Sequence, residues 1–327
     1  MQAPGHISGH AEQALDWGGY VAALVTQQGS LAAVAEALAA GRGHRESVES
    51  IARALRRLRA KAHGDGGVWG QRCLQRFGLP DGVADRVRWM GQYHSRFTDL
   101  PATVCAELLR PWDRPPVSAS PVWVWVALGW TGLALRRRDR DAASVHLAAA
   151  DGLGDRVADA AKVERDLVAA YLWSRAEPAR AKARLDRAAE VVAGGMMSAD
   201  DRACLRSRLV DQRAYTLNKP ASGPPQHEAA LSLYAALPDD APPFARCRKA
   251  NGMAWSLKKV GRIEEARAWA ERSVQDAGDA GSLRLRAMAL NVLARLQEPT
   301  QAANTRARAG RIAQHLEDME LVHRFRR

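Results

Sequence analysis

The fold is decided by residues 247–275, which read CRKANGMAWSLKKVGRIEEARAWAERSVQ. Apolar residues recur at helical spacing in the first half of this stretch, at Ala250, Met253 and Leu257, and they predict one buried helix face. Gly261 interrupts the pattern, since glycine takes the left-handed conformation that ends many helices. A second helix is expected to follow, so this stretch is predicted to form a hairpin of two antiparallel helices.

The second helix of the hairpin carries Ala266, Ala270 and Ser273, whose small side chains allow two helices to approach closely. The same spacing of zero, four and seven positions recurs four more times along the chain. The recurrences are Ala143, Leu147 and Ala150; Ala181, Leu185 and Ala188; Ala229, Leu233 and Ala236; and Ala302, Arg306 and Ala309. The first alanines of the five sets lie 38, 48, 37 and 36 residues apart, and the insertion at 218–227 explains the longest interval.

This period and spacing resemble those of the tetratricopeptide repeat family. The resemblance covers roughly residues 122–315 and implies an all-α solenoid of helical hairpins. It also implies that the first helices of successive hairpins line a concave groove that binds a protein or peptide. Arg306 departs from the pattern, because it stands where an apolar residue is usual, and it fits a terminal hairpin that faces water.

A candidate partner-binding groove follows from the residues left over once the apolar face of each first helix is buried. It consists of Arg248, Asn251, Trp255, Lys259, Arg284, Asn291 and Arg295. Cations beside asparagines and an indole suit an extended acidic peptide, because the cations can bind its carboxylates and the amides its backbone. The alternative is an unoccupied, solvated face in which Trp255 packs against the next helix.

Residues 30–59 predict a different helical module. Ser30 and Ser47 are placed to cap two successive helices. The second of these helices has an apolar stripe that includes Ile51 and Leu55, and its opposite face is cationic. The segment is therefore expected to pack through one face and to present the other to solvent.

This segment resembles the winged helix-turn-helix of bacterial transcription regulators, in which one helix braces another that enters the major groove. The resemblance implies that Ser47, Ser50 and Arg53 approach bases, and that Arg45, Arg56, Arg57 and Lys61 meet phosphates. The turn between the helices is longer than in the simplest members, and the wing is inferred from the glycines of residues 63–70. The alternative is an amphipathic hairpin that begins the solenoid, with solvated arginines.

The proline-rich stretch at residues 111–121 is the best candidate for a boundary between the two modules. The predicted organisation is a leader at 1–11, a helix-turn-helix-like module at 12–110, a linker at 111–121, a repeat array at 122–315 and a basic tail at 316–327. The net charge of +12 favours a nucleic-acid partner only where the basic residues cluster. Residues 42–76 are the most basic part of the N-terminal third.

Other classes of protein fit the sequence poorly. The four cysteines lack the CxxC spacing of a zinc site, and no signal peptide is visible, so we expect a reducing cytoplasm and no metal or cofactor. The apolar run at 121–135 is too short to span a membrane. His94, Ser95 and Asp99 are too close in sequence to predict a catalytic triad, and a capped turn that packs Tyr93 and Phe97 explains them better.

These observations together predict a cytoplasmic, DNA-binding transcriptional regulator that is not an enzyme and whose helical array binds a protein or peptide. The alternative is an interaction adaptor, built on the same array, that makes no contact with nucleic acid.

Overall fold

The computed structural model describes residues 17–40, 46–60, 66–79, 81–114, 117–221 and 223–326, and within these ranges the protein is all-α, without a strand. The predicted fold class of a helical solenoid is therefore confirmed. The described residues divide into two compact units. The first draws on Met1–Arg88 and Glu107–Val126, and the second on Trp89–Ala106 and Ala127–Arg327.

The first unit is built on a bundle of short helices. In chain order, the helices that begin before residue 100 are α1 (Trp17–Gln28), α2 (Leu31–Ala39), α3 (Val48–Ala60), α4 (Gly67–Phe77) and α5 (Asp81–Gly91). Their core buries Trp17, Val34, Ile51 and Leu55, which come from three different helices. The predicted caps are present, because Ser30 Oγ accepts from the Ala33 amide at 3.0 Å and Ser47 Oγ from the Ser50 amide at 3.3 Å.

The predicted wing is wrong for the part of residues 63–70 that the structure describes, because α4 already begins at Gly67. The glycines serve helix packing instead of a hairpin turn. A Cβ at Gly66 would come within 2.1 Å of the Trp17 ring, and a Cβ at Gly70 within 2.7 Å of the same ring. Only a residue without a side chain leaves room for this indole to pack against the start of α4.

The second unit is a succession of helical hairpins. The remaining helices are α6 (Ala102–Leu109), α7 (Val124–Arg136), α8 (Arg140–Asp151), α9 (Asp159–Trp173), α10 (Pro178–Gly194), α11 (Ala199–Asn218), α12 (His227–Ala235), α13 (Pro243–Lys259), α14 (Ile263–Asp279), α15 (Leu283–Ala294), α16 (Pro299–His315) and α17 (Met319–Phe325). Helices α9 and α10, α11 and α12, α13 and α14, and α15 and α16 pack as pairs. Helices α9, α11, α13 and α15 also lie side by side and form one layer.

The small residues at the helix crossings confirm the predicted spacing in four of the five hairpins. Ala266, Ala270 and Ser273 are each fully buried, and Gly261 has a φ of 85°, as the end of α13 requires. The predicted register of the third hairpin is wrong by one residue. Ala229 is exposed, whereas the neighbouring Ala230 is fully buried.

The corrected buried set in the third hairpin is Ala230, Tyr234 and Leu237, which keeps the spacing of zero, four and seven. A large Tyr234 is tolerated here because it packs against Gly252 of α13, where any side chain would collide with its ring at 2.1 Å. A glycine opposite a tyrosine thus replaces the pairing of two small residues. A tyrosine opposite a glycine fills about the same volume as two small residues, so the crossing stays packed although the buried positions of α12 are shifted by one residue.

The two units do not divide at the predicted linker. The described residues of 111–121 belong to the first unit and include the 3-10 turn Val117–Ala119, whereas residues 89–106 belong to the second unit. The predicted basic tail contains α17, which is helical as expected but buries Leu321. Among the described helices, none is long and apolar enough to cross a membrane alone; only α1 and α2 reach that length together, with a bend of 87° between them.

The contact between Gly252 and Tyr234 predicts a loss of stability in Gly252→Ala. The added methyl group would meet the ring at 2.1 Å, and the ring is held in place because its hydroxyl donates to Asp211 Oδ1 at 2.9 Å. Overpacking of this kind costs about 1–3 kcal/mol. Chemical denaturation of the full chain should show the lower free energy of unfolding.

Gly310→Ala is the matched control, because Gly310 is also inside a helix but has open space around its Cβ position. This substitution should stabilise the chain by about 0.5–1 kcal/mol, since alanine is the better helix former. Equal effects of the two substitutions would show that the crossing of α12 and α13 is not tightly packed.

Candidate functional site

One candidate site is the exposed face of α3. Its buried side carries Ile51, Leu55 and Leu58 into the core of the first unit. All five predicted DNA-contacting residues within the described ranges are exposed; they are Ser47, Ser50, Arg53, Arg56 and Arg57. The other two predicted contacts, Arg45 and Lys61, lie outside the described residues.

The arginines of α3 lie on one face because their spacing of three and four residues matches the helical repeat. None of Arg53, Arg56 and Arg57 pairs with a carboxylate of the described residues. Arg72 donates to Glu46 Oε1, on the residue before the helix cap, at 3.1 Å, and its guanidinium lies 4.5 Å from the Trp69 ring centroid. The charge of the three α3 arginines is therefore available to a ligand.

The second candidate site is the layer formed by α13 and α15. Arg248, Asn251, Trp255 and Lys259 lie along α13, Arg284 and Asn291 lie on α15, and Arg295 is the C-cap of α15. The two helices pack side by side, as the predicted groove requires. The structure separates the charged residues of this layer into two groups. The cations of the first group have carboxylate partners in the chain, and those of the second group have none among the described residues.

The first group is an arginine–tyrosine cluster made by Tyr93, Arg208, Arg248 and Arg284. The three guanidinium groups lie 4.5, 5.9 and 5.0 Å from the Tyr93 ring centroid. Each arginine also has its own carboxylate in the chain. Arg208 pairs with Glu164, Arg248 pairs with Asp211, and Arg284 pairs with Asp318 at 2.9 Å.

The charges of the cluster are paired within the chain, although the Arg248 Nε and the Glu164 Oε1 are buried without a hydrogen-bond partner in the described residues. Burial alone would raise the pKa of Tyr93, but the nearby Arg284, Arg248 and Arg208 lower it below its usual value. Burial would likewise lower the pKa of Arg284, but Tyr93 and Asp318 raise it instead. Because buried charges with local partners are strongly tied to the fold, this cluster is a structural junction of the array.

Residues 93–99, which precede α6, contribute Tyr93 and Asp99 to this junction. The sequence analysis assigned them to the N-terminal module and not to the array. Asp99 accepts hydrogen bonds from the Ser282 hydroxyl at 3.0 Å and from the Arg284 amide at 2.8 Å. The Tyr93 ring packs edge to face against Phe244, with centroids 6.3 Å apart. These contacts join residues far apart in sequence, so no local pattern in the sequence indicated them.

The second group, the Trp255 cluster, consists of Trp255, Lys219, Lys259 and Arg295. The Lys219 Nζ, the Lys259 Nζ and the Arg295 guanidinium lie 4.9, 5.1 and 5.5 Å from the Trp255 ring centroid. Cation–π contacts of this kind contribute about 0.5–1 kcal/mol each at exposed sites. Lys219 is the C-cap of α11. It was not predicted as a groove residue, because it lies in the proline-rich insertion at 218–227 and shares no predicted helix face with Trp255.

The cations of the Trp255 cluster lack anionic partners. Lys219, Lys259 and Arg295 pair with no carboxylate of the described residues, and the Arg295 Nε is buried without an acceptor. Partial burial lowers the pKa of Lys219, and the neighbouring charges, Arg324 and Arg295 foremost, lower it further. Burial and Arg306 similarly lower the pKa of Arg295. A bound anion would relieve this repulsion.

The two asparagines of the predicted groove remain accessible in part. Asn251 and Asn291 are both half-buried, and the Asn251 Oδ1 has no hydrogen-bond donor among the described residues. This oxygen is itself buried, so it is not presented to a peptide that binds at the surface. The usable part of the predicted groove is therefore its Trp255 end.

The residues His94, Ser95 and Asp99 do not converge as a triad. Ser95 donates to the Trp89 carbonyl at 2.5 Å, His94 lies 3.4 Å from Asp201, and Asp99 accepts from α15. Ser95 also caps a 3-10 turn by accepting from the Phe97 amide at 3.2 Å, which confirms the predicted capped turn. A serine without a hydrogen bond to a base lacks the activation that hydroxyl nucleophiles need.

The chemistry of metal sites gives no further candidate in the described ranges, where no three histidine, cysteine or acidic side chains come together. All four cysteines are buried and unpaired, and burial raises the pKa of Cys73 and Cys204 to about 12. Thiols in this state are unreactive.

Two surfaces thus carry unpaired positive charge: the α3 face in the first unit and the Trp255 cluster in the second. Their function has to be argued from this chemistry, because no family model, no curated protein and no solved structure matches the chain.

Proposed function

We propose that this protein is a cytoplasmic, DNA-binding transcriptional regulator whose helical array binds an acidic protein or peptide. The observation that carries the proposal is the α3 face, where Arg53, Arg56 and Arg57 are exposed, share one side of the helix and have no carboxylate partner in the described residues. A cluster of unpaired cations on one helix face is what binding to the phosphate backbone requires.

The arrangement of α2 and α3 supports a helix-turn-helix role for this face. Helix α2 packs against α3 and α1, and all three contribute to one core. A helix braced in this way can enter the major groove as a rigid element. In this proposal Ser47, Ser50 and Arg53 approach base edges, whereas Arg56 and Arg57 bind phosphates. The sequence predicts phosphate contacts for Arg45 and Lys61 as well, which lie outside the described residues.

The array supports the second half of the proposal. Its hairpins and small crossing residues resemble tetratricopeptide repeats, which bind partners on the layer of first helices. The Trp255 cluster provides unpaired cations on that layer. Carboxylates of an acidic partner would satisfy these cations. No step of the proposal requires catalysis.

The same array also supports the alternative of an adaptor that binds an acidic partner without contacting nucleic acid. The Trp255 cluster carries this alternative by itself, because its cations belong to the second unit and do not depend on α3. A measurement of DNA binding separates the two functions.

The DNA-binding proposal predicts that the full chain binds mixed-sequence duplex DNA at low salt. We expect the triple variant Arg53→Ala, Arg56→Ala, Arg57→Ala to bind at least about a hundredfold more weakly. Each phosphate contact releases counterions and strengthens binding at low salt, so the loss of three is large. Fluorescence anisotropy with a labelled duplex would measure both affinities.

The matched control for DNA binding is the variant Arg308→Ala, Arg311→Ala, Arg326→Ala. These arginines are also exposed and without carboxylate partners, so the net charge falls by the same amount. The control should retain nearly all of the affinity. Equal weakening in both triple variants would mean that binding follows net charge alone, and a wild-type chain that binds no DNA would favour the adaptor.

The groove proposal predicts that Lys259→Glu with Arg295→Glu weakens binding of a labelled polyglutamate peptide by about tenfold or more. Charge reversal replaces attraction by repulsion at the Trp255 cluster. Arg248→Glu with Arg284→Glu is unsuitable, because each new carboxylate would face Asp211 or Asp318 inside the fold.

The control for the groove variant is Arg308→Glu with Arg311→Glu, which makes the same change in net charge on exposed arginines. It should bind the polyglutamate peptide like the wild type. Both variants should keep DNA affinity within a few-fold of the wild type. If the two variants lose the peptide equally, the Trp255 cluster is not the binding surface.

A further inference from the structure

The second unit contains a cavity that is separate from the α3 face and shares only Lys219 with the Trp255 cluster. It measures about 480 Å³, within the range of small-molecule sites. It lies between the turn that follows α9, the first half of α10, the end of α11 and the end of α12. The two loops beside it begin at Ser174 and Lys219.

The cavity has an apolar part. Leu185, Leu217 and Leu233 line it together with Pro178, Ala181 and Pro220. Leu185 is buried, but Leu217 and Leu233 are only partly buried and present apolar surface to the cavity. Covering such a surface with a hydrocarbon group would be favourable, because apolar area would leave water.

The cavity also has a cationic part, in which two kinds of basic residue are present. Lys182 and Arg213 both pair with Asp186, at 2.6 Å and 3.0 Å, so one carboxylate is shared between two cations. Arg175 and Lys219 have no carboxylate partner in the part of the chain that the structure describes. The unpaired charge of the cavity is therefore concentrated on these two residues.

The electrostatics at Lys219 reinforce this assignment. Partial burial lowers the pKa of Lys219, and Arg175 is one of the cations that lower it further. Arg175 and Lys219 both line the cavity, so their charges act on a common region. The Tyr215 ring lies below the ammonium group, with its centroid 5.6 Å from Nζ. An anion between the two cations would replace repulsion by attraction on both sides.

We propose that this cavity binds a small organic carboxylate with a hydrocarbon chain of medium length. The hydrocarbon contacts Leu217 and Leu233, and the carboxylate lies between Arg175 and Lys219. A carboxylate without a hydrocarbon chain would leave the apolar part of the cavity solvated. A neutral alcohol would leave the two cations without an anionic partner. The site goes beyond the proposed function, because its ligand is a small molecule and its cavity shares only Lys219 with the Trp255 cluster.

The inference is tested with octanoate as the probe, by isothermal titration calorimetry on the full chain. Octanoate should bind at least about tenfold more tightly than acetate, because methylene groups are transferred from water to the apolar part. It should also bind at least about tenfold more tightly than octanol, because only the carboxylate pairs with the cations. Equal affinity for octanoate and acetate would overturn the proposal, as would equal affinity for octanoate and octanol.

Variants locate the site. The double variant Arg175→Ala, Lys219→Ala should lose at least about tenfold in octanoate affinity and approach the affinity of the wild type for octanol. The control Arg308→Ala, Arg311→Ala makes the same change in net charge and should bind octanoate like the wild type. Undiminished octanoate binding by the first variant, or an equal loss in the control, would place the octanoate elsewhere and overturn the proposal.

A third variant tests the apolar part. Leu233→Ser should weaken octanoate binding but leave acetate binding unchanged, and it is expected to fold because Leu233 is only partly buried. Thermal melting of each variant verifies folding before titration. Octanoate affinity that does not respond to Leu233→Ser in a folded chain would contradict the proposed position of the hydrocarbon.

Discussion

The close approach of helices at small residues is the constraint on which the rest of the array depends. Ala143, Ala181, Ala230, Ala266 and Ala302 are each buried at a crossing between neighbouring helices. An alanine-rich chain has few large side chains with which to fill space, so its helices must come close together to reach native packing density. This close approach aligns α9, α11, α13 and α15 as one layer, and the layer positions both the arginine–tyrosine cluster and the Trp255 cluster.

Two groups of cations in this chain differ in their partners, and the difference explains how one basic protein can carry both structural and binding surfaces. Arg208, Arg248 and Arg284 are buried or nearly so, and each has its own carboxylate. Removing one partner of such a pair is costly, because the other charge is left buried. The arginines of α3 and the cations around Trp255 have no such partner in the described residues, so their charge remains available to ligands.

The sequence predicts those features that depend on neighbouring residues. The cap at Ser47, the stripe of Ile51 and Leu55, and the turn at Gly261 follow from local spacing. Partners distant in sequence were not predictable, since the Arg284 guanidinium meets a tyrosine 191 residues away. The third hairpin is an intermediate case. Its spacing was predicted correctly, but its register was wrong by one residue, because the register depends on Gly252, which faces Tyr234 from a different helix.

The central claim, that the α3 arginines bind DNA whereas the buried, paired arginines support the fold, is tested most directly by labelling the arginines with phenylglyoxal, with and without duplex DNA. Mass spectrometry would give the modified fraction of each arginine. The account predicts that Arg53, Arg56 and Arg57 react in the free chain and are protected by DNA, while Arg308 and Arg311 react in both states and Arg248 and Arg284 in neither. Protection of Arg308 and Arg311 by DNA, without protection of α3, would contradict it.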